Sequence, residues 1–463
     1  MKRSTILASI LSLLMSSMIF APLFAQSAGA SLDLSLDTSL STSLLTDLSA
    51  SASEGITLSL TVPFDKATRF VAKGGATVSA WYDGASETTE ITVPTSIGEL
   101  DAQELSLNFG SPLPDEGLDS FALSIGRIPY TDPTSALFAY RLDGFSVRAV
   151  YPAVNIRAVF GFTGLLPEAA PIIMSTADST YGNNGFAPPR LVASFGIRSP
   201  RIVGHEFYGV FLAQEDLRDD TMLVKEYDTV LDSTSGGPAD GAYLAAGFSG
   251  PPAGKLGYSA FGAWYFGRHL SYMGDAGSGY SYQFVPIRAF SFGGNVRYPI
   301  SSRLSMAVRF QYGSGDDDAS SAIDGNTAGD DTMFMPVTRS SSGLVFSPQA
   351  GNVSLVALTL TGRPFPAYSL GPKAITVIGK TFMTVKNGKG PISEAGVDSE
   401  AGLSLLGIEQ DLTASVRLLS DASLNLSIGA FVPVAAPSGA FDPSYVKDSP
   451  FQFTISVGLS LAL

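Results

Sequence analysis

The chain has 463 residues, of which only 15% are charged, and its mean hydropathy is +0.23. A soluble domain usually carries about 25% charged residues, so this composition argues against an ordinary water-soluble protein. Cysteine is absent, which excludes disulfides, thiolate metal sites and lipid attachment through a cysteine. The formal net charge is −14, and it is unevenly distributed along the chain.

The first segment of the chain has the organisation of a secretory signal peptide. A short basic region precedes an almost unbroken apolar run from Ile6 to Phe24, and small residues follow it. This order predicts a signal peptide over residues 1–30, with cleavage after Ala25 or Ala30. Residues 31–463 then form a single domain.

In this domain the apolar residues alternate with polar or small ones. No apolar run reaches the roughly 18 residues that a membrane helix needs. The stretch from Phe451 to Leu463 alternates without an error, and 145–151, 154–162 and 304–312 repeat the pattern. A period of two is that of a β-strand. Since only helices and closed barrels satisfy their backbone groups in lipid, a membrane protein with this pattern is a barrel.

The connections between the predicted strands differ in length from one to the next. Strands are predicted at 31–40, 55–62, 75–82, 102–110, 119–128, 144–151, 153–163, 189–198, 203–214, 241–249, 254–266, 286–298, 303–312, 351–362, 372–385, 403–419, 424–434 and 451–463. One alternate set of connections is mostly short, such as Pro152 and 199–202, and the other includes the long stretches 215–240, 267–285 and 313–350. Short turns on one rim and long loops on the other are typical of outer-membrane barrels.

These patterns predict an all-β fold, a transmembrane antiparallel β-barrel of about 18 strands (range 16–18). The short turns are expected to be periplasmic and the long loops extracellular. With an even number of strands, both termini fall on the periplasmic side. The expected location is therefore the bacterial outer membrane.

Two of the long connections carry most of the net charge. Residues 215–240 and 313–350 together hold fourteen acidic and three basic residues. A solvated surface would explain this, and so would bridging by divalent cations, which carboxylates bind. The candidate weak divalent site consists of Asp316, Asp317, Asp318, Asp330 and Asp331. Neither loop has the spacing of an EF-hand.

The polar face of the predicted strands is mainly basic. If the apolar face contacts lipid, the pore-lining residues are Arg148, Arg157, Arg190, Arg198, Arg297, Arg309, Lys380 and Arg417, with Glu409 and Asp411 opposing them. Rings of Arg and Lys favour anions in pores. Alternatively, the arginines pair with neighbouring acidic groups or with a loop inserted into the barrel.

No constellation of residues points to catalysis. The chain has two histidines, His205 and His269. Neither lies in a sequence pattern that pairs a nucleophile with a base. We therefore expect no enzymatic activity, no catalytic residues and no cofactor.

Three short stretches resemble the alginate-export family of outer-membrane porins. They are Ser124–Arg127 followed by Leu137–Phe138 and Leu142–Gly144, then Phe310–Asp317, and finally Gly407–Thr413. The resemblance implies an eighteen-stranded monomeric barrel that exports or admits sugar acids through an arginine-rich lumen, with Arg127, Glu409 and Asp411 as its candidate residues. Two features depart from that family: the chain ends in Leu463 rather than an aromatic residue, and its loops are strongly acidic.

The first functional hypothesis is a porin that passively transports small or extended polar solutes, with a mild anion preference, acidic or neutral saccharides among them. The alternative is a structural or surface-interaction barrel with a closed lumen and acidic ligand-binding loops. The expected partners are the lipid bilayer, lipopolysaccharide or another outer-leaflet lipid, the outer-membrane assembly machinery, and small polar or anionic solutes. Nucleic acid is not among them.

Overall fold

The structure is a computed structural model, and it describes the predicted barrel domain with several gaps. The described residues are 31–44, 48–64, 68–83, 101–111, 118–166, 172, 186–199, 202, 204–218, 238–253, 256–275, 279–319, 328–339, 342–364, 375–418 and 422–462. The predicted signal peptide, 1–30, lies outside the described residues and remains a prediction.

Eighteen strands in the described part of the chain form one antiparallel sheet. They are β1 (Ser31–Leu44), β2 (Leu48–Pro63), β3 (Thr68–Asp83), β4 (Asp101–Ser111), β5 (Ser120–Thr131), β6 (Ala139–Val150), β7 (Asn155–Phe162), β8 (Arg190–Arg198), β9 (Glu206–Asp216), β10 (Ala239–Ala253), β11 (Leu256–Asp275), β12 (Gly279–Pro299), β13 (Leu304–Gly313), β14 (Val353–Gly362), β15 (Ile375–Lys386), β16 (Ser404–Arg417), β17 (Ala422–Pro433) and β18 (Gln452–Ala462). Each of the eighteen predicted strands overlaps one of these, so the predicted fold class is confirmed.

The order of strand pairing makes the sheet cyclic. Each strand pairs with the next one in the chain, and β18 pairs with β1. This last pairing runs in register from Ser35 opposite Ala462 to Ser43 opposite Thr454. A sheet whose first and last strands pair has the connectivity of a barrel and leaves neither strand as an edge.

The two faces of the sheet differ in chemistry. Exposed large apolar side chains lie on one face, among them Ile125, Phe145, Phe160, Phe195, Phe211, Leu244, Trp264, Phe290, Phe310, Met383 and Leu412. Buried polar side chains lie at the intervening positions, among them Ser146, Ser194, Gln214, Ser291, Gln311 and Thr384. Successive side chains of a strand point to opposite faces, so the outer face of the barrel is apolar and the inner face is polar. Outer-membrane barrels have this arrangement.

The connections divide between the two rims as the sequence predicts. One rim, the turn rim, carries short connections such as 151–154 and 300–303, whereas the loop rim carries 314–352 and 387–403. One loop prediction is wrong. Most of 267–285 belongs to β11 and β12, which pair without interruption to Asp275 opposite Gly279. Tyrosines and serines in this stretch continue the sheet, because aromatic residues fit a pleated surface well.

Part of the long connection 314–352 lies inside the barrel. The Tyr243 hydroxyl on β10 donates a hydrogen bond of 2.5 Å to the carbonyl oxygen of Met335. The amide of Val337 donates to the carbonyl oxygen of Leu137, in the connection between β5 and β6. The connection starts at β13 and ends at β14, yet it contacts β10 and the connection between β5 and β6, so it lies across part of the interior.

The helical content of the described residues is small. One helix, α1 (Pro443–Asp448), lies between β17 and β18, and the Asp442 side chain caps its N-terminus by accepting from the amide of Ser444 at 2.7 Å. Among the residues that the structure describes, no helix is long and apolar enough to cross a membrane.

Strands β6 and β7 approach each other very closely at Gly144. A Cβ atom at this position would lie 2.0 Å from the carbonyl oxygen of Phe160 and 2.5 Å from Cα of Gly161. Both contacts are with backbone atoms, which cannot rotate away as a side chain can. Glycine is therefore required at 144 for these strands to pair as they do.

Candidate functional site

A cavity of about 680 Å³ lies against the inner face of the wall formed by β3 and β5 to β8. Its lining includes four arginines, Arg69, Arg148, Arg157 and Arg198, and one carboxylate, Asp132. Three of these arginines, those of β6, β7 and β8, are pore-lining residues predicted from the sequence. The structure brings them together around one space.

Arg148 and Arg157 are direct cross-strand partners of β6 and β7. The guanidinium of Arg157 lies 4.9 Å from the centre of the Tyr130 ring, a cation–π contact. Its Nε donates to Oγ of Ser146 at 3.3 Å and its Nη2 to the carbonyl oxygen of Pro129 at 3.4 Å. Like charges directly opposite each other on a sheet repel, so this pair favours a solvated space in which an anion can offset the charge.

The single carboxylate in the cavity lining is held in place by the backbone of its own turn, and the lining keeps a net positive charge. Asp132 follows β5, and its Oδ2 accepts from the amide of Thr134 at 2.7 Å. Its Oδ1 accepts from the amides of Leu137 and Phe138 at 3.1 and 2.9 Å. This turn folds inward, and the adjacent Tyr130 hydroxyl shares a hydrogen bond of 2.6 Å with Oγ of Ser194 on β8. The turn thus forms one wall of the cavity.

The remaining two arginines of the cavity differ in their surroundings. Arg198 forms an ion pair of 3.0 Å with Glu206 on β9 and keeps 44% of its side chain exposed. The sequence reasoning missed Arg69, because the predicted strand began at 75, whereas β3 begins at Thr68. The alternation of the basic Arg69 and Lys73 with the apolar Phe70 and Ala72 was the signal that would have extended the strand.

The other predicted basic residues also lie on the inner face but away from this cavity. Arg190 is buried and forms an ion pair with Asp216 at 3.4 Å. Asp216 also pairs with Arg218 at 2.7 Å, so this cluster fixes the wall near the loop rim. Arg297 and Arg417 are exposed and lie near the turn-rim ends of β12 and β16.

Two further basic residues, Arg309 and Lys380, lie near residues 342–352, which form the inner segment of the connection 314–352. Arg309 donates from Nη2 to Oε1 of Gln311 at 2.6 Å, and it lines a small cavity together with Ser342 and Gln349 of the inner segment. Lys380 on β15 is the cross-strand partner of Asp411 on β16. These residues therefore contribute to the surroundings of the inner segment.

The predicted acidic residues of the lumen, Glu409 and Asp411, face inward but are covered. They are 2% and 6% exposed. Both accept hydrogen bonds from backbone amides of the inner segment. At this part of the wall the inserted connection therefore covers the two predicted acidic residues.

Arg127, the residue singled out by the family resemblance, lies on the other face of the sheet. It is the cross-strand partner of Asp143, at positions that alternate with the buried Ile128 and Leu142. Its Nε donates to Asp143 Oδ1 at 2.8 Å and its Nη2 to the carbonyl oxygen of Leu165 at 2.8 Å. This residue ties the wall to the connection that follows β7 rather than facing the cavity.

The five acidic residues of the candidate divalent site do not come together. Asp316, Asp317 and Asp318 place carboxylate oxygens within 4.8 Å of one another. Asp330 instead pairs with Arg288 at 2.8 Å, and Asp331 with His269 at 3.0 Å. Burial raises the pKa of Asp318 to about 7, and a hydrogen bond to Asp316 and the negative charge of Asp316 add to this effect.

This raised pKa has a consequence for the turn at 316–318. A carboxyl with a raised pKa stabilises the folded form while protonated, and that contribution falls as the pH rises from about 4 through about 7. We expect Asp318→Asn to slow backbone amide exchange of the peptide covering 314–319 at pH 8 and to leave it nearly unchanged at pH 5, after correction for the intrinsic rate. Equal exchange in variant and wild type at pH 8 would show that repulsion among these carboxylates does not loosen the turn.

No protein-family model matches the sequence, and no curated protein sequence matches it either. Solved structures do match. They include OccK5 (OpdH) of Pseudomonas aeruginosa, with 11% identity and a TM-score of 0.54 over 94% of this chain and 98% of the other. OpdQ of the same organism has 10% identity and a TM-score of 0.53, covering 94% and 99% of the two chains. OccAB2 of Acinetobacter baumannii has 9% identity and a TM-score of 0.52, covering 94% and 98%.

The chain has the fold of these barrels. The neighbours belong to the OccD/OprD group of outer-membrane porins. Identities near 10% establish the architecture and leave function to be argued from the site. The resemblance to the alginate-export family remains a prediction.

Proposed function

We propose that this protein is an outer-membrane channel through which small polar solutes diffuse passively, with a preference for anions. The observation that carries the proposal is the cavity on the inner face, where Arg148 stands directly opposite Arg157 and the lining holds four guanidinium groups against one carboxylate. Fixed positive groups in a narrow passage concentrate anions, since low-dielectric walls focus the field.

Three further features support a channel. The outer face is apolar and suits contact with lipid, and the inner face is polar and suits water. A barrel of this many strands is wide enough to enclose an aqueous passage. Neighbours of the same fold are porins, and passive diffusion requires neither a cofactor nor a catalytic residue.

The solutes that fit this lining are small or extended and carry acidic groups or many hydroxyls, which includes acidic and neutral saccharides. Arginine binds carboxylates through two parallel hydrogen bonds. The alternative is a barrel whose interior is closed by the connection 314–352 and whose acidic loops bind a surface partner.

In the proposed setting the turn rim and both ends of the domain face the periplasm, and the loop rim faces outward. The lipid bilayer surrounds the apolar face, and lipopolysaccharide contacts its outward end. The assembly machinery of the outer membrane inserts the barrel after the signal peptide is removed.

Single-channel recording of the refolded domain, 31–463, in a planar bilayer tests the proposal. With a salt gradient across the bilayer, we expect steady conductance and a reversal potential of the sign that indicates anion permeation. A reversal potential favouring cations would contradict the role of the arginine cavity. A folded barrel that carries no current would contradict the channel and favour the closed alternative.

A further inference from the structure

The inner segment, 342–352, is fastened to the barrel wall at a few points. Phe346 stacks on Phe431 of β17, with ring centres 4.3 Å apart and planes 5° from parallel. The amide of Gln349 donates to Oγ of Ser393 at 2.8 Å, in the connection between β15 and β16. At Gly343, a Cβ atom would lie 2.4 Å from a carboxylate oxygen of Glu409. The segment therefore lies directly on the inner wall.

The polar part of this fastening comes from the two carboxylates of β16. Oε1 of Glu409 accepts from the amide of Val345 at 2.8 Å, and Oε2 accepts from the amide of Phe346 at 2.9 Å. Oδ2 of Asp411 accepts from the amide of Leu344 at 3.2 Å. Three consecutive amides thus bind two carboxylates that are two positions apart on one strand. Hydrogen bonds to an ionised acceptor are about twice as strong as neutral ones.

The charged groups around this contact are few. Glu409 and Asp411 face each other along β16, and Lys380 of β15 is the cross-strand partner of Asp411. From β17 the cross-strand partners are Gly429 and Phe431, which do not titrate. The inner segment contributes only the amides at this point. The other oxygen of Asp411 is buried and has no hydrogen-bond partner among the described residues.

We propose that Glu409 and Asp411 are positioning residues that latch the inner segment to the wall and so hold the passage open. This inference rests on the proposed channel function. While the segment lies against the wall, the passage is as wide as the segment allows. If the segment leaves the wall, its atoms enter the lumen and narrow the passage. Loss of the two carboxylates weakens the latch because a neutral side-chain amide is a poorer acceptor than a carboxylate.

The absence of cysteine from the chain permits a clean test by cross-linking. A Cβ atom at Gly429 would lie 2.9 Å from Cβ of Leu344. A disulfide needs a Cβ separation of about 3.5–4.5 Å, so the double variant Leu344→Cys/Gly429→Cys requires a shift of about 1 Å. Oxidation of this pair fixes the inner segment to β17 whatever side chains β16 carries at 409 and 411.

Conductance is then compared at pH 7.5 in wild type and variants. We expect Glu409→Gln/Asp411→Asn to conduct roughly twofold less than wild type, as an inserted segment narrows the passage. The reason is that a side-chain amide presents a donor as well as an acceptor to the segment and so holds the three backbone amides poorly. The oxidised cysteine pair, added to this variant, should restore the wild-type value, and reduction should lower the conductance again. Glu400→Gln, at an exposed carboxylate in the connection 387–403, is the matched control and should behave as wild type.

Amide exchange of the peptide covering 342–352 gives a second readout that does not depend on current. The latch predicts faster exchange at pH 7.5 in Glu409→Gln/Asp411→Asn than in wild type or in Glu400→Gln. Unchanged exchange in that variant overturns the latch even if the barrel proves to carry no current. Normal conductance that is equal in wild type and in Glu409→Gln/Asp411→Asn also overturns the latch and leaves the channel function standing.

Discussion

Replacement of Arg148, Arg157 and Arg198 by glutamate should reverse the ion selectivity of the channel from anions to cations. The cavity lining has four guanidinium groups and one carboxylate, so the triple variant changes its net charge from three positive to three negative. The three side chains come from neighbouring strands and surround one space, so their fields add there. The reversal potential in a salt gradient should therefore change sign. This effect should weaken as the salt concentration rises, because screening shortens the range of the charges.

A matched variant separates this effect from a change in total charge. Arg303→Glu places the same kind of change in the exposed turn between β12 and β13, outside the cavity lining. It should leave the sign of the reversal potential as in wild type. If the triple variant folds, conducts and still prefers anions, the arginine cavity does not determine selectivity.

Gly144→Ala should destabilise the barrel by at least about 3 kcal/mol, at the upper end of what overpacking usually costs. The added methyl group would meet the backbone of β7, with its carbon 2.0 Å from the Phe160 carbonyl oxygen. Relief of this contact requires β6 and β7 to separate, with loss of ladder hydrogen bonds. Urea unfolding in detergent, followed by tryptophan fluorescence, measures the change.

Gly262→Ala is the control for this prediction. Gly262 lies in β11, and a Cβ atom there would meet nothing within 4 Å. Alanine in an open strand position should be neutral or slightly stabilising, because it reduces the conformational freedom of the unfolded chain. Equal unfolding midpoints for the two variants would show that the close approach at Gly144 does not limit stability.

The strands were predictable because the two faces of the sheet differ in chemistry. An apolar outer face and a polar inner face impose a period of two, and 451–463 follows it without an error. The rule fails where this difference between the faces is weak. The stretch 267–285 is rich in tyrosine, serine and glycine and looks like a loop, yet it continues the pairing of β11 with β12. The pattern of a single strand contains no information about its partner, and pairing with the partner strand makes 267–285 a pair of strands rather than a loop.

The candidate site was predictable only in part. Alternation placed the arginines of β6, β7 and β8 on the inner face, where they line the cavity. It could not reveal which inward charges already have partners. Arg190 binds Asp216, and Glu409 binds the inner segment, through contacts between positions that are distant in sequence. Periodicity describes one strand at a time and is silent about such contacts.

The pairing of β18 with β1 has a consequence for how the barrel forms. The other strand pairs join neighbours in the chain, whereas this one joins Ser35 to Ala462 across almost the whole sequence. Neighbouring pairs can assemble early as hairpins, but the closing pair bears the entropy of the longest loop and depends on both ends of the domain being present. Until then β1 and β18 are open edges that any other strand can capture. Closure is thus the slow and vulnerable stage of assembly, during which a catalyst or a chaperone has the most to protect.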